Sequence, residues 1–374
     1  MKACIIHNTL NSVGGGERVC LTVIEALKLM GFKVKLITAE PTDWSLVRHT
    51  VGDIVIPDEE SSVLPFRVKA FGIYTRLLTF LKIDRNCDLI INTHGDVLPF
   101  SSDIIYMHFP TFTLTREAPA NIKYSRSLFW RAYFYPYEKI QSYLVKRIRW
   151  RILLTNSEFS KEAIKKYVGA EAMILYPPVN IDDFIKVSAT KNREDRVVLC
   201  GRYTPEKNYE LALMVAKELP DVEFIIIGAY SGKVSNAYYA KLMKMKSELK
   251  LKNVKLLKNI SKKEQLKIYS RSKVFMHTMI NEHFGIAVVE GMAAGLIPVV
   301  HKSGGPWYDI IDRGRYGFGY ENIGEAVRSI EKALQNHSAL ASLVIKRAQN
   351  FHKKYFIKKF TEIIKRITNV KRSK

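Results

Sequence analysis

Two series of short apolar runs, each alternating with amphipathic stretches, occupy this chain, and Tyr176-Pro177-Pro178-Val179-Asn180 divides them. In the first series, Ala3-Cys4-Ile5-Ile6 reads as a strand. Arg18 to Met30 reads as a helix with Val19, Val23, Leu27 and Met30 on one face, and Lys33 to Thr38 as the next strand. The segments at 88–92, 104–107 and 152–155 continue it. The second series runs through Val197-Val198-Leu199-Cys200, a helix from Tyr209 to Leu219, and strands at 224–227, 254–257, 273–276 and 297–300. Strands this apolar, each followed by a helix, belong in parallel sheets covered on both faces. Two adjacent prolines forbid helix and favour an extended link. The pattern predicts an α/β protein of two doubly wound, Rossmann-like domains, 1–180 and 181–345, facing across a cleft, with a basic helix over 346–374.

Composition narrows the partners. The chain has 374 residues and a net charge of +23, from 59 Lys+Arg against 36 Asp+Glu. Such an excess attracts nucleic acid, an acidic membrane face or a phosphorylated substrate. Cys4, Cys20, Cys87 and Cys200 form no CxxC pair and no cluster with histidine, so a disulfide framework and structural zinc are not expected. Free buried thiols in a reducing compartment are expected instead. The first apolar run stops at His7 and the longest carries Glu290, so neither a signal peptide nor a transmembrane span is expected.

Five motifs can carry chemistry. Gly14-Gly15-Gly16-Glu17-Arg18 joins the first strand to the first helix. Consecutive glycines let a ligand approach the backbone, and the helix N-terminus suits a phosphate or a sugar hydroxyl. A plain tight turn is the alternative, and the spacing is not the dinucleotide fingerprint. Gly201-Arg202-Tyr203-Thr204-Pro205-Glu206-Lys207-Asn208 follows the first strand of the second half. There Arg202 and Lys207 can converge on a pyrophosphate or stay solvated surface charges. Asn281-Glu282-His283-Phe284-Gly285-Ile286 leads into an apolar helix containing Glu290. A carboxylate among Val and Met needs a polar partner, either a ligand's vicinal hydroxyls or an internal arginine. His108 falls at the end of a strand in Tyr106-Met107-His108-Phe109-Pro110, where structural and catalytic roles both remain open. Lys302-Ser303-Gly304-Gly305-Pro306 is a further turn whose amides could line the same cleft.

Taken together, the segments GGGERV, YMHFPT, TNSEFS, YPPVN, GRYTPEKN and NEHFGIAVVEGMAAGLIPVVHKSGGP resemble the family 4 retaining glycosyltransferases of GT-B fold. Within that family they are similar to the mannosyltransferases that extend a lipid-linked oligosaccharide from GDP-mannose. The eukaryotic members carry an N-terminal membrane anchor that is not seen here. The resemblance implies that Arg202 and Lys207 neutralise the donor pyrophosphate and that Glu290 binds the ribose hydroxyls. It implies that Glu282 holds the donor hexose, with the backbone at Phe284, Gly285 and Ile286 against sugar and phosphate. His108 then sits by the donor sugar, Gly15 and Gly16 approach donor phosphate and acceptor, and Asn259 and Ile260 lie near the nucleobase. The last helix in this fold packs back on the first domain. Donors within the family include UDP-sugars as well as GDP-mannose.

Departure of a diphosphate leaves negative charge that preorganised Arg, Lys and helix amides can stabilise without a cation. With no Asp-x-Asp pair in the chain, metal-independent activity and no cofactor are expected. Retention with the leaving phosphate oxygen taking the acceptor proton is implied by the family. Between Ile122 and Ile152, eight Lys/Arg and nine aromatics stand against one Glu; Trp130, Tyr133, Phe134, Tyr137 and Trp150 interleave with Arg126, Arg131, Arg147, Arg149 and Arg151. That pairing suits docking on an anionic membrane, on its cytoplasmic face, where a lipid-linked glycan acceptor resides. The stretch Lys346–Lys374 has eleven Lys/Arg, and its apolar residues suit either membrane or core. A nucleic-acid-binding protein explains the charge but not the E-x7-E pair. A nicotinamide oxidoreductase, with Glu40 as ribose acid, lacks the glycine fingerprint, and a sugar phosphorylase or nucleotide-sugar hydrolase shares the architecture.

Overall fold

A computed structural model describes residues 1–67, 72–83, 86–113 and 128–372. The chain divides into two compact units, Met1–Pro178 with Lys353–Lys374, and Val179–His352. The first unit holds strands β1 (Lys2–Ile6), β2 (Lys33–Thr38), β3 (Glu59–Ser62), β4 (Leu89–Asn92), β5 (Ser102–Met107), β6 (Trp150–Thr155) and β7 (Met173–Ile174). They form one parallel sheet in the order β3-β2-β1-β4-β5-β6-β7. The second unit holds β8 (Arg196–Arg202), β9 (Glu223–Ala229), β10 (Val254–Lys258), β11 (Val274–His277), β12 (Ile297–His301) and β13 (Phe318–Tyr320). Their order, also all parallel, is β10-β9-β8-β11-β12-β13.

Each order reverses once, between β1 and β4 in the first unit and between β8 and β11 in the second. Loops leaving neighbouring strands in opposite directions open a crevice at such a reversal, and open α/β sheets bind ligands there. The strand centres are buried on both faces: Ile5, Leu36, Ile91 and Leu154 in one sheet, Val198, Ile226, Phe275 and Val299 in the other. β3, β7 and β13 were not expected from the sequence. Glu59-Glu60-Ser61-Ser62 carries no apolar run, and the other two are only two or three residues long. They are edge strands, where burial does not demand an apolar sequence.

The helix Gly15–Leu29 packs Val19, Val23, Ile24 and Leu27 on the first sheet. Beside it lies the C-terminal helix Lys353–Arg372, whose Phe356, Phe360, Ile363, Ile364 and Ile367 belong to the same core. Lys353 Nζ meets Glu25 Oε2 at 2.5 Å. The apolar face of this helix is therefore core and not a membrane face. Residues 346–352 belong with the second unit, not with that helix, and Lys374 lies outside the described residues.

Two other expectations are corrected. Cys4 and Cys87 are joined in a disulfide, because β1 pairs with β4 and brings residues 83 positions apart to a Cα separation of 5.9 Å. Cys20 and Cys200 remain free thiols. In the helix Leu128–Arg147, Phe134 and Tyr137 are core residues, spaced with Gln141 and Leu144 along one face. Trp150 is only half-buried, and Ile122 and Arg126 lie outside the described residues. The exposed aromatics are Phe129, Tyr135 and Tyr143.

Arg193 fastens the second unit. Its guanidinium donates to the carbonyls of Ser188, Tyr269, Ser272 and Ala294 at 2.7–3.0 Å. These carbonyls sit at the ends of the helices Asp182–Ser188, Lys262–Arg271 and Ile286–Ala293, where a cation also answers the helix dipoles. Arg193→Lys keeps the charge and loses the fork, so the unfolding free energy of this unit should fall by about 1–2 kcal/mol in denaturant titration. An unchanged midpoint would contradict this anchoring.

Candidate functional site

The second unit gathers its polar residues at the β8/β11 reversal. β8 ends at Arg202, and a 3-10 turn over Pro205–Lys207 brings the lysine back toward the sheet. Lys207 Nζ lies 2.5 Å from Glu282 Oε2 and 3.4 Å from Met279 Sδ. Thr278 Oγ1 donates to the Lys207 carbonyl at 2.6 Å, fixing the base of the side chain. The ring of His277, at the end of β11, places Nε2 3.4 Å from the same Glu282 oxygen. Burial alone would raise the Glu282 carboxyl, but Lys207 and His277 overrule it and hold it well below the usual carboxylate range. The site thus contains an ammonium and a carboxylate, both mostly buried and each the other's countercharge.

Arg202 is different. Its side chain is 70% exposed and meets only the Glu206 carboxylate, at 3.6 Å. The lysine is pinned and the arginine projects into solvent.

Glu290 lies in the helix Ile286–Ala293 and is only 7% exposed. Burial pushes the Cys200 thiol up to about 11 and the Tyr269 hydroxyl well up, and the nearby Glu290 carboxylate adds to both. Gly285 caps this helix at φ +102°, a conformation that favours glycine, and a Cβ there would meet Pro306 at 2.9 Å. Phe284 is buried and packs edge-on against Phe351 at 5.6 Å, so its side chain holds the loop. Ile286 begins the helix, half-buried. In the Gly304-Gly305 turn one amide is engaged within the fold: Gly305 N–H donates to Glu282 O at 2.8 Å. This turn presses against the 281–284 backbone, and Ser303 Oγ accepts from Asn281 N–H at 2.9 Å.

Asn259 also has a structural duty. Its amide receives Tyr230 N–H at 2.7 Å and donates to Tyr230 O at 2.9 Å, tying β9 to β10. One lone pair of its oxygen and one of its two N–H donors are thereby used, which fixes the orientation of the amide. Lys258 beside it stands over the rings of Tyr230 and Tyr239, 4.3 and 3.8 Å from their centroids.

In the first unit, Gly14–Gly16 and His108 meet at the β1/β4 reversal. A Cβ on Gly16 would come 3.3 Å from His108 Nε2, and one on Gly95 3.5 Å from the same ring. His108 Nε2 faces the Thr93 carbonyl at 3.2 Å; a carbonyl only accepts, so this nitrogen carries the proton and Nδ1 the lone pair. Burial pushes His108 down to about 4, which leaves it neutral at physiological pH. One amide at the helix N-terminus, that of Gly14, is already engaged. Glu17 turns back to accept Gly14 N–H at 2.7 Å and Ser12 Oγ–H at 2.5 Å. His7 and Ser12 hold the Glu17 carboxyl near about 2 against the opposing effect of burial. An anion arriving at this helix would face a like charge.

A polar network that sequence reasoning missed adjoins this loop. His7 Nδ1 bonds Thr93 Oγ1 at 3.0 Å, His94 Nε2 bonds Asp96 Oδ2 at 3.1 Å, and Arg76 Nε meets that oxygen at 2.9 Å. Thr111 links Asp96 to Tyr137. Burial opposes ionisation of Asp96, but Arg76 and His94 hold its carboxyl well below the usual range. The available signal was position: His7, Thr93 and His94 each directly follow a strand or stand next to one that does. Among the described residues, no group of three or more His, Cys, Asp or Glu is arranged to hold a metal ion.

Comparison with known proteins finds likenesses to part of the chain and to its fold. Residues 180–351 match the model of glycosyl transferases group 1. A GDP-Man:Man(3)GlcNAc(2)-PP-Dol alpha-1,2-mannosyltransferase of Neurospora crassa is 29% identical over 255 residues, covering 59% of this chain and 46% of its own length. The enzymes of the same name from Xenopus laevis and Homo sapiens are 33% and 30% identical over 37% and 43% of this chain, and 31% and 36% of theirs. The chain thus spans less than half of the curated relatives it matches. Among solved structures, sucrose-phosphate synthase of Thermosynechococcus elongatus superposes with a TM-score of 0.75 at 16% identity, over 99% of both chains. HepE of Anabaena, solved with UDP-glucose, gives 0.70 at 17% identity over 98% of this chain and 99% of its own. These likenesses show the GT-B fold.

Proposed function

We infer, from the match of residues 180–351 to the glycosyl transferases group 1 model, that this protein is a hexosyltransferase that moves mannose from GDP-mannose to a lipid-linked glycan. The single observation that carries the reading is the Lys207–Glu282 pair at the β8/β11 reversal, one helix away from the buried Glu290. Lys207 is the charge for the donor diphosphate, with Arg202 able to swing in from solvent. Glu290 binds the pentose hydroxyls and Glu282 the hexose. Breaking the sugar–phosphate bond puts negative charge on the diphosphate, and a preorganised ammonium stabilises it as it forms. The retaining course is that of the family 4 enzymes the sequence resembles.

The test is product analysis. The chain is incubated with GDP-mannose or UDP-glucose, with and without a lipid-linked glycan carrying terminal mannose. Mannose added to the glycan supports the reading. Sugar released to water, or transfer from UDP-glucose alone, replaces it with a hydrolase or with a UDP-sugar transferase. The second donor is kept because HepE, of the same fold, is solved with UDP-glucose.

Two further properties belong to this proposal. The transfer proceeds without a divalent cation, so excess EDTA should leave the rate unchanged; loss restored by manganese would overturn this. Membrane contact is made by the exposed side of the helix Leu128–Arg147. There Phe129, Tyr135 and Tyr143 stand beside Arg131, Lys139 and Arg147, with Lys139 over Tyr135 and Arg147 over Tyr143. Rings that sit at headgroup level beside cations suit an anionic interface. No helix among the described residues is long and apolar enough to cross a membrane. In flotation with phosphatidylserine liposomes at low salt the protein should rise with the lipid. Phe129→Ser with Tyr143→Ser should leave most of it behind; equal flotation of the variant would contradict this surface.

A further inference from the structure

We propose that His277 is a positioning residue of the donor site, taking up a proton as the sugar nucleotide binds and so holding Glu282 when Lys207 turns to the diphosphate. This rests on the donor-site reading of Lys207 and Glu282 given above. The geometry is specific. Lys207 Nζ and His277 Nε2 address one and the same oxygen, Glu282 Oε2, at 2.5 and 3.4 Å. A diphosphate draws the Lys207 ammonium toward itself and so weakens its hold on that oxygen. When it turns away, the ring is the group beside Glu282 that can supply a countercharge, since the hexose hydroxyls it holds are neutral.

The second observation is the far side of that ring. His277 is 6% exposed, and its Nδ1 is buried with no hydrogen-bond partner. Unpartnered buried nitrogens are uncommon in folded proteins, and one beside a candidate site asks for a role. Nε2 faces a carboxylate, which only accepts, so Nε2 carries the proton of the neutral ring and Nδ1 the free lone pair. Nδ1 is the atom that takes the incoming proton, drawn from solvent. A buried donor without an acceptor costs less than a buried carboxylate without a countercharge, so the protonated ring is favoured once Lys207 has moved.

Charge counting points the same way. The groups facing the ring are Glu282 from the following loop, Lys207 from the loop after β8, and His301 from β12; Tyr320 of β13 donates to the His277 carbonyl at 2.9 Å. In the free protein Lys207 and Glu282 cancel, and burial with Lys207 depresses the imidazole against the pull of Glu282. A bound sugar nucleotide adds two negative charges and draws the lysine toward them. Both changes favour imidazolium.

Titration calorimetry tests this. GDP-mannose and UDP-glucose are titrated into the protein near pH 7 in buffers of differing ionisation enthalpy, which counts protons directly. Both are phosphodiesters with no group of their own titrating there. The wild type should take up a substantial fraction of one proton per donor bound, and His277→Gln close to none. The wild-type donor KM should rise with pH from about 6 to about 8, through the histidine range, and that of His277→Gln should stay flat. Donor binding by the wild type without proton uptake overturns the proposal whether or not the variant folds. So does equal uptake by the variant. If neither donor binds, the donor-site reading fails and this proposal with it.

Discussion

Replacing Lys207 with methionine is expected to lower kcat/KM for the sugar nucleotide by roughly 10²–10³-fold, the range seen when one preorganised group facing developing negative charge is removed. The lysine is the fixed cation of this region. Its Nζ sits on Glu282, its own carbonyl is held by Thr278, and its side chain is only 17% exposed. The ammonium is therefore already desolvated before substrate arrives, and what remains is its turn from Glu282 to the diphosphate. Arg202 sets the contrast. At 70% exposure with a single long contact to Glu206, its ordering must come at the expense of binding energy. Arg202→Met should cost about tenfold or less. Steady-state kinetics of the two variants, with circular dichroism to check folding, decide the matter. Equal losses, or a larger loss at Arg202, would mean that the buried pair is a structural strut.

Gly304→Ala is expected to lower activity by about 10²-fold through displacement of Glu282, although residue 304 carries no functional group. Its φ of +69° lies in the left-handed region, which costs a side chain about 1–2 kcal/mol. A Cβ would also stand 2.3 Å from Glu282 O and 2.8 Å from Glu282 N. Those contacts are to backbone, which cannot turn aside as a side chain does, so the 281–284 loop has to move. Gly305 N–H and Ser303 Oγ both bond that loop, and they would carry the shift along it. Gly324→Ala is the control. It lies in the first turn of the helix Ile323–Gln335, where a Cβ meets nothing nearer than 3.5 Å. That change should leave activity alone and add about 0.4–1 kcal/mol of stability by restricting the unfolded chain. An active Gly304→Ala enzyme would show that the position of Glu282 is not critical.

The architecture was legible because buried parallel strands must be apolar throughout. Runs such as Val197–Leu199 and Phe224–Ile227 announce themselves, and Pro177-Pro178 marks the join. Glu59–Ser62 did not announce itself, because an edge strand needs no such run. The disulfide was missed for a related reason. Cys4 and Cys87 are brought together only by the β1/β4 crossover, which composition cannot reveal. In the candidate site, Lys207, Glu282 and Glu290 were singled out from residue type and spacing. Their electrostatics were not, since pairing of Lys207 with Glu282 depends on a turn that folds the lysine back. The same limit hid the capping role of Glu17, which takes the Gly14 amide and sets a carboxylate at the glycine-rich turn. It also hid the duty of Asn259, whose amide bonds to the Tyr230 backbone. His277 follows the apolar run at 273–276 and was not singled out; only the structure sets it against the carboxylate.

The donor's seat is the claim on which the account stands, and a crystal structure of the protein with GDP-mannose bound tests it most directly. The account predicts the diphosphate within hydrogen-bonding distance of Lys207 Nζ, which has left Glu282, and the pentose hydroxyls on the Glu290 carboxylate. A nucleotide sugar bound elsewhere, or bound here with the Lys207–Glu282 pair intact and Glu290 untouched, would contradict it.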